Sequence, residues 1–139
     1  MYLTAIIDVY SRYIVGWGLS NTLEAESSLN VLKQAIQEHG KPEIINSDQG
    51  SQFTCEQWVK YLKEQSIKIS MDGKGRATDN IFIERFWRSL KYDYVYIHPA
   101  SDGLELYQGI KNHSRFYNHQ LHHQGINRRT PAELYKAVA

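Results

Sequence analysis

Ile44-Ile45-Asn46-Ser47-Asp48-Gln49-Gly50-Ser51-Gln52-Phe53-Thr54 is the stretch on which the fold turns. A short apolar run stops at an aspartate, passes a glycine turn and resumes at a hydroxyl. That is the pattern of a buried strand delivering a carboxylate to its carboxyl end, where α/β folds place their sites. Asp48 reads as one half of a metal-binding pair, with Glu84 as the other.

On the carboxyl side of this stretch, Thr54 and Gln57 have the spacing of a capping box, opening a helix whose buried side is Trp58, Val59 and Leu62. Ile67-Lys68-Ile69-Ser70 alternates as a short strand. Asp72-Gly73-Lys74-Gly75-Arg76 has two glycines, two cations and no apolar anchor, and reads as a mobile loop. Asp79 caps the helix that carries Glu84. Asp102 to about Asn118 forms another, with Leu106, Ile110 and Tyr117 inward. Thr130-Pro131-Ala132-Glu133 opens the last helix with a hydroxyl cap, a proline in the first turn and a glutamate closing the box.

On the amino side, Met1 to Asp8 is largely apolar and reads as a strand buried on both faces. Tyr13 to Leu19 is a second β-rich run, and the polar Tyr10-Ser11-Arg12 break makes the two a hairpin. Asn21 or Thr22 caps the next helix with Glu24 in its first turn. Its apolar face is Ala25, Leu29, Leu32, Ala35 and Ile36, and His39-Gly40-Lys41-Pro42 ends it. Strands, alternation and then helices predict one α/β domain over residues 1–139 with a mixed sheet. A chain that begins inside a core strand is unusual, because termini ordinarily fray, and this points to a segment missing upstream.

Composition narrows the function classes. The net charge is +1, so a nucleic-acid partner has to be met by a local basic patch rather than by bulk charge. Cys55 is the sole cysteine, which excludes an intrachain disulfide and fits a reducing cytoplasm. No apolar run approaches the ~20 residues of a membrane span, and no signal pattern opens the chain, so no membrane partner is expected.

At ~100° per residue, Phe82, Ile83, Phe86 and Leu90 share one side of the helix after Asp79, and Asn80, Glu84, Arg88 and Lys91 the other. Two readings are open. The polar stripe is a solvated face with a modest Glu84–Arg88 ion pair, or it belongs to phosphodiester chemistry. In the second reading Asp48 and Glu84 hold Mg²⁺, a hard cation that takes oxygen ligands, and Arg88 and Lys91 hold a nucleic-acid backbone.

Asp48-Gln49-Gly50-Ser51-Gln52-Phe53-Thr54 resembles the second-aspartate motif of DDE transposases and retroviral-type integrases. Thirty-five residues separate Asp48 from Glu84, the spacing of that family's D,D(35)E signature, and Lys91 stands where the family carries a basic residue that contacts the DNA end. Val9-Tyr10-Ser11-Arg12 with Ile14-Val15-Gly16-Trp17 is similar to the hairpin of bacterial insertion-sequence transposases. So are Asp79-Asn80-Ile81-Phe82-Ile83-Glu84-Arg85-Phe86 and Thr130-Pro131-Ala132-Glu133-Leu134-Tyr135. The resemblance implies a ribonuclease-H-like fold and two Mg²⁺ or Mn²⁺ ions. It also implies end cleavage by water, followed by attack of the freed 3′-hydroxyl on target DNA. Transposon ends and target are then the partners, in a homo-oligomer.

In that family the first catalytic aspartate lies on a central strand that would precede Met1, in a segment resembling Thr-Asp-Ile-Thr-Tyr, together with a DNA-binding region. Two alternatives to an active core follow. One is a truncated, non-catalytic remnant that binds DNA or associates with full-length transposase; the other is a ribonuclease-H-like nuclease. Asp8 reads as a turn or cap residue. His119, His122 and His123 read as satisfied or exposed rather than as a zinc site, because no cysteine accompanies them. Leu121-His122-His123-Gln124 departs from the Arg-Pro-His-Ser-like run that often precedes the family's last helix, and His123 alone keeps its place.

Overall fold

Periodicity switches from two to 3.6 and back along the chain, and the elements follow it. The computed structural model describes residues 2–22, 24–47, 51–71, 81–95, 102–121, 123 and 129–138. Strands β1 (Tyr2–Ile7) and β2 (Ile14–Ser20) precede helix α1 (Ala25–His39). Then come β3 (Ile44–Ser47), the short α2 (Ser51–Thr54), α3 (Glu56–Glu64) and β4 (Lys68–Met71). Helix α4 (Ile81–Arg88) runs into a π-helical turn, Ser89–Val95, and α5 (Gly103–His119) and α6 (Pro131–Val138) complete the order. No described helix is long and apolar enough to cross a membrane. The loop Asp72–Arg76 and the cap residue Asp79 lie outside the described residues.

The chain gathers into two compact units, Met1–Ile6 with Val15–Ile81, and Ile7–Ile14 with Phe82–Ala139. In the first, β3 and β4 pair in parallel, Ile44 opposite Lys68 through Ser47 opposite Met71. The Ser70 hydroxyl donates to the Asn46 side-chain oxygen at 2.9 Å across that register. Strands β1 and β2 form a separate two-stranded ladder. Among the described residues the strands therefore make two small sheets. β1 is half-buried along most of its length rather than covered on both faces. One of its contacts to the helical layer is polar, Thr4 Oγ1 to Ser28 Oγ at 3.0 Å.

The core of this unit is Leu29 and Leu32 of α1, Trp58 and Leu62 of α3, and Ile67 ahead of β4, with Ile6, Ile45 and Phe53 packed against it. Helix α1 lies close on β2: a Cβ at Gly16 would stand 3.1 Å from Ala35 Cβ, and one at Gly18 2.6 Å from Val31 Cγ2. Gly40 ends α1 as expected, at φ 90°, with its N–H donating to the Ile36 carbonyl at 2.8 Å.

Two helix starts differ from expectation. The cap position of α1 is Glu24, in extended conformation and without a side-chain cap. The Ser20 hydroxyl instead accepts from the Thr22 N–H and bonds the Ser27 hydroxyl at 3.0 Å, so the polar residues are spent on the turn before the helix. Thr54 closes the short α2, and Cys55, also without a side-chain cap, stands at the cap position of α3. A hydroxyl within one turn of a helix start is consumed by whichever backbone N–H the chain brings to it, and local spacing does not say which.

In the second unit, Phe86 and Leu90 are buried and Phe82 and Ile83 half-buried, the apolar side the helical wheel requires. Phe86 meets Tyr117 of α5 edge-on at 5.1 Å. Asp102 caps α5, accepting from the Glu105 N–H at 2.8 Å, and Thr130 caps α6, accepting from the Glu133 N–H at 3.3 Å. Both agree with their sequence signatures.

Candidate functional site

Strand β3 ends at Ser47, so Asp48 follows directly on its carboxyl end and lies outside the described residues. Glu84 lies in the first turn of α4 and is exposed, as are Arg88 in the last turn and Lys91 in the π-helical turn. The Glu84–Arg88 ion pair of the solvated-face reading does not form, although both residues are described. Glu84 thus presents a carboxylate uncommitted to any described neighbour. The Lys91 ammonium stands 5.7 Å from the centre of the Tyr92 ring.

The uniform α-helical wheel extends only to Arg88. From Ser89 the backbone bonds at i→i+5, so each residue advances less around the axis, and Lys91 departs from the line of Glu84 and Arg88. A tertiary contact accompanies the change: the Ser89 hydroxyl and His113 Nε2 of α5 lie 3.1 Å apart, with His113 buried. Such π segments recur at functional sites.

The hairpin loop holds residues whose arrangement spacing alone does not disclose. Asp8 is the turn residue expected: its carboxylate accepts from the Ser11 N–H at 3.0 Å and from the Ser11 hydroxyl. That hydroxyl in turn accepts from the Tyr13 N–H at 3.1 Å, and Ser11 is fully buried. Arg12 adopts φ 68°, and its guanidinium lies 3.6 Å over the Phe82 ring. Tyr13 stacks on Tyr135 at 4.5 Å and meets His119 edge-on at 6.1 Å. Burial pushes the Tyr117 phenol up to about 12, against the opposing pull of Arg12 and Arg85. Burial also raises Tyr135, with Asp8 adding to it, and lowers Arg12, with Arg85 adding to that.

His119 is exposed, His122 lies outside the described residues, and His123 pairs its backbone with Arg129 and its ring with Tyr117 at 4.7 Å. Among the described residues no three His, Cys, Asp or Glu side chains converge to hold a metal.

Residues 1–77 match the integrase core domain family and residues 65–131 a second integrase core domain family. The chain is 32% identical over 139 residues to the transposase for insertion sequence element IS904 of Lactococcus lactis. The match covers 98% of this chain and 55% of that transposase, so the chain spans about half the length of this relative. The catalytic core of BIV integrase superposes with TM-score 0.77 at 19% identity, covering 98% of this chain and 86% of that one. The HTLV-2 integrase catalytic core, in a trimeric form in complex with magnesium, gives 0.74 at 20% identity, covering 96% and 83%. The fold is accordingly the ribonuclease-H-like α/β fold of those cores. With more than half of its length matched in sequence, this chain belongs to the integrase core domain family.

Proposed function

We propose that this chain is the core of a transposase that cleaves transposon ends and joins them to target DNA. The observation that carries the reading is Glu84: an exposed carboxylate in a first helical turn, unpaired among the described residues, and separated by thirty-five residues from Asp48, the residue that follows β3 in the sequence. Two carboxylates are the donor chemistry a hard divalent cation takes, so Asp48 and Glu84 would hold Mg²⁺ or Mn²⁺. Held there, such an ion would supply Lewis-acid activation of the scissile phosphate and of a water attacking as hydroxide. Arg88 and Lys91, both exposed, take the phosphate backbone beside it. DNA is the partner, and assembly is homo-oligomeric, as the dimeric and trimeric forms of the HTLV-2 core support by analogy. The IS904 transposase is nearly twice the length of the stretch it shares with this chain.

The test is cleavage of a labelled transposon-end duplex with Mn²⁺ by the full-length protein carrying this stretch, against its Asp48→Asn and Glu84→Gln variants. Loss of cleavage in both, with melting temperature unchanged, is the expected result. Cleavage that survives both substitutions overturns the assignment. A wild type that binds the duplex but never cuts it favours the non-catalytic remnant instead.

A further inference from the structure

Arginines from two elements of the second unit share one ring. The Arg12 guanidinium, from the hairpin loop, lies 3.6 Å from the Phe82 centroid, and that of Arg85, from α4, 5.8 Å. The two cations are close enough for Arg85 to weaken the hold of Arg12 on its proton. Among the described residues neither has an ion-pair partner. Asp8 is within electrostatic reach of Arg12, but its carboxylate already accepts two bonds from Ser11. The hydrogen bond of Arg12 is a long one, 3.4 Å to the Tyr10 carbonyl.

Both guanidiniums lie over one ring with their charges close together, an arrangement that an incoming oxyanion relieves. With Asp8 counted, two cations and one anion leave the group one positive charge.

We propose that Arg12 and Arg85 hold one backbone phosphate of DNA, in addition to the contacts assigned to Arg88 and Lys91. Planar guanidinium forks stacked on an aromatic ring are suited to phosphate oxygens. The inference rests on the DNA-binding reading above and extends it to a surface that the metal-site residues do not include.

The experiment is fluorescence anisotropy of a labelled duplex titrated with the full-length protein at several salt concentrations. Arg85→Gln, an exposed substitution that leaves the fold intact, weakens binding several-fold. The double variant Arg12→Gln/Arg85→Gln lowers the slope of log affinity against log salt by about 0.9, the amount for one phosphate. Should the double variant not fold, Arg85→Gln alone decides: unchanged affinity and unchanged slope overturn the proposal. Protection by inorganic phosphate that Arg85→Gln abolishes while DNA affinity stays intact also overturns it, assigning the pair to a free anion. If Lys91→Gln weakens binding and Arg85→Gln does not, this site fails and the reading above stands. A wild type that binds no DNA fails both.

Discussion

The side-chain amide of Asn118 pairs with the backbone of Ile14 across 104 positions of sequence. Its Oδ1 accepts from the Ile14 N–H at 2.7 Å and its Nδ2 donates to the Ile14 carbonyl at 3.1 Å, with both residues buried. One side chain therefore does for the start of β2 what a neighbouring strand would, satisfying a donor and an acceptor together. Asn118→Leu strands both, at about 1–3 kcal/mol for each unsatisfied group. A fall of that size is expected in stability from urea denaturation. An unshifted midpoint would mean that water or a rearranged neighbour takes over both bonds.

Gly18 leaves no room for a methyl group. A Cβ there meets Val31 Cγ2 at 2.6 Å, and the branched, buried valine has little freedom to turn away. Gly18→Ala is expected to destabilise by about 1–3 kcal/mol, as overpacked cores do. Val31→Ala in the same chain should recover part of that loss. A double-mutant cycle with zero coupling would place the strain elsewhere.

Stability falls as pH rises through the tyrosine range. The Tyr117 phenol titrates near pH 10 when unfolded and about 12 when folded. Between those values the folded state keeps a proton that the unfolded state has lost, so its contribution is complete below pH 10 and declines towards 12. The decline is about 1.4 kcal/mol for each unit of separation. Tyr135 shifts in the same direction and adds to it. Urea midpoints measured across that window should slope downward in the wild type and less steeply in Tyr117→Phe. Equal slopes would remove Tyr117 as the cause.

Helix α1 begins without a side-chain cap, because Glu24 occupies the cap position and reaches no backbone N–H. Glu24→Ser supplies a short oxygen at an exposed site whose backbone is already extended. A gain of about 0.5–1 kcal/mol is expected, the usual worth of a cap. A differential melting experiment reads it as a raised midpoint. A lowered midpoint would show that the carboxylate's interaction with the helix dipole outweighs a hydroxyl cap.

Where an element's signal is local, the sequence is legible. Gly40 stops α1, Asp102 starts α5 and Thr130-Pro131 starts α6, each through a bond or a steric restriction spanning four residues or fewer. The caps of α1 and α3 differ from their sequence signatures because several hydroxyls and amides compete within one turn, and packing settles which pair meets. The polar stripe on α4 was legible as far as Arg88. Beyond it the backbone changes its hydrogen-bonding step beside a buried histidine of another helix, while Lys91 keeps the exposure that the stripe implies.

The sequence by itself determined the family, through motifs whose order and spacing are read directly: Asp48 and Glu84 with thirty-five residues between them, and the blocks around them. It also determined the alternation of elements, because apolar periodicity and caps act over a few residues. Only tertiary structure decided that Asn118 completes the edge of β2, that Arg12 and Arg85 gather on Phe82, and that Glu84 stands free of Arg88. Those relationships depend on which surfaces pack together. A pairing across 104 positions, or a guanidinium choosing a ring over a carboxylate, leaves no periodicity in the chain to be read.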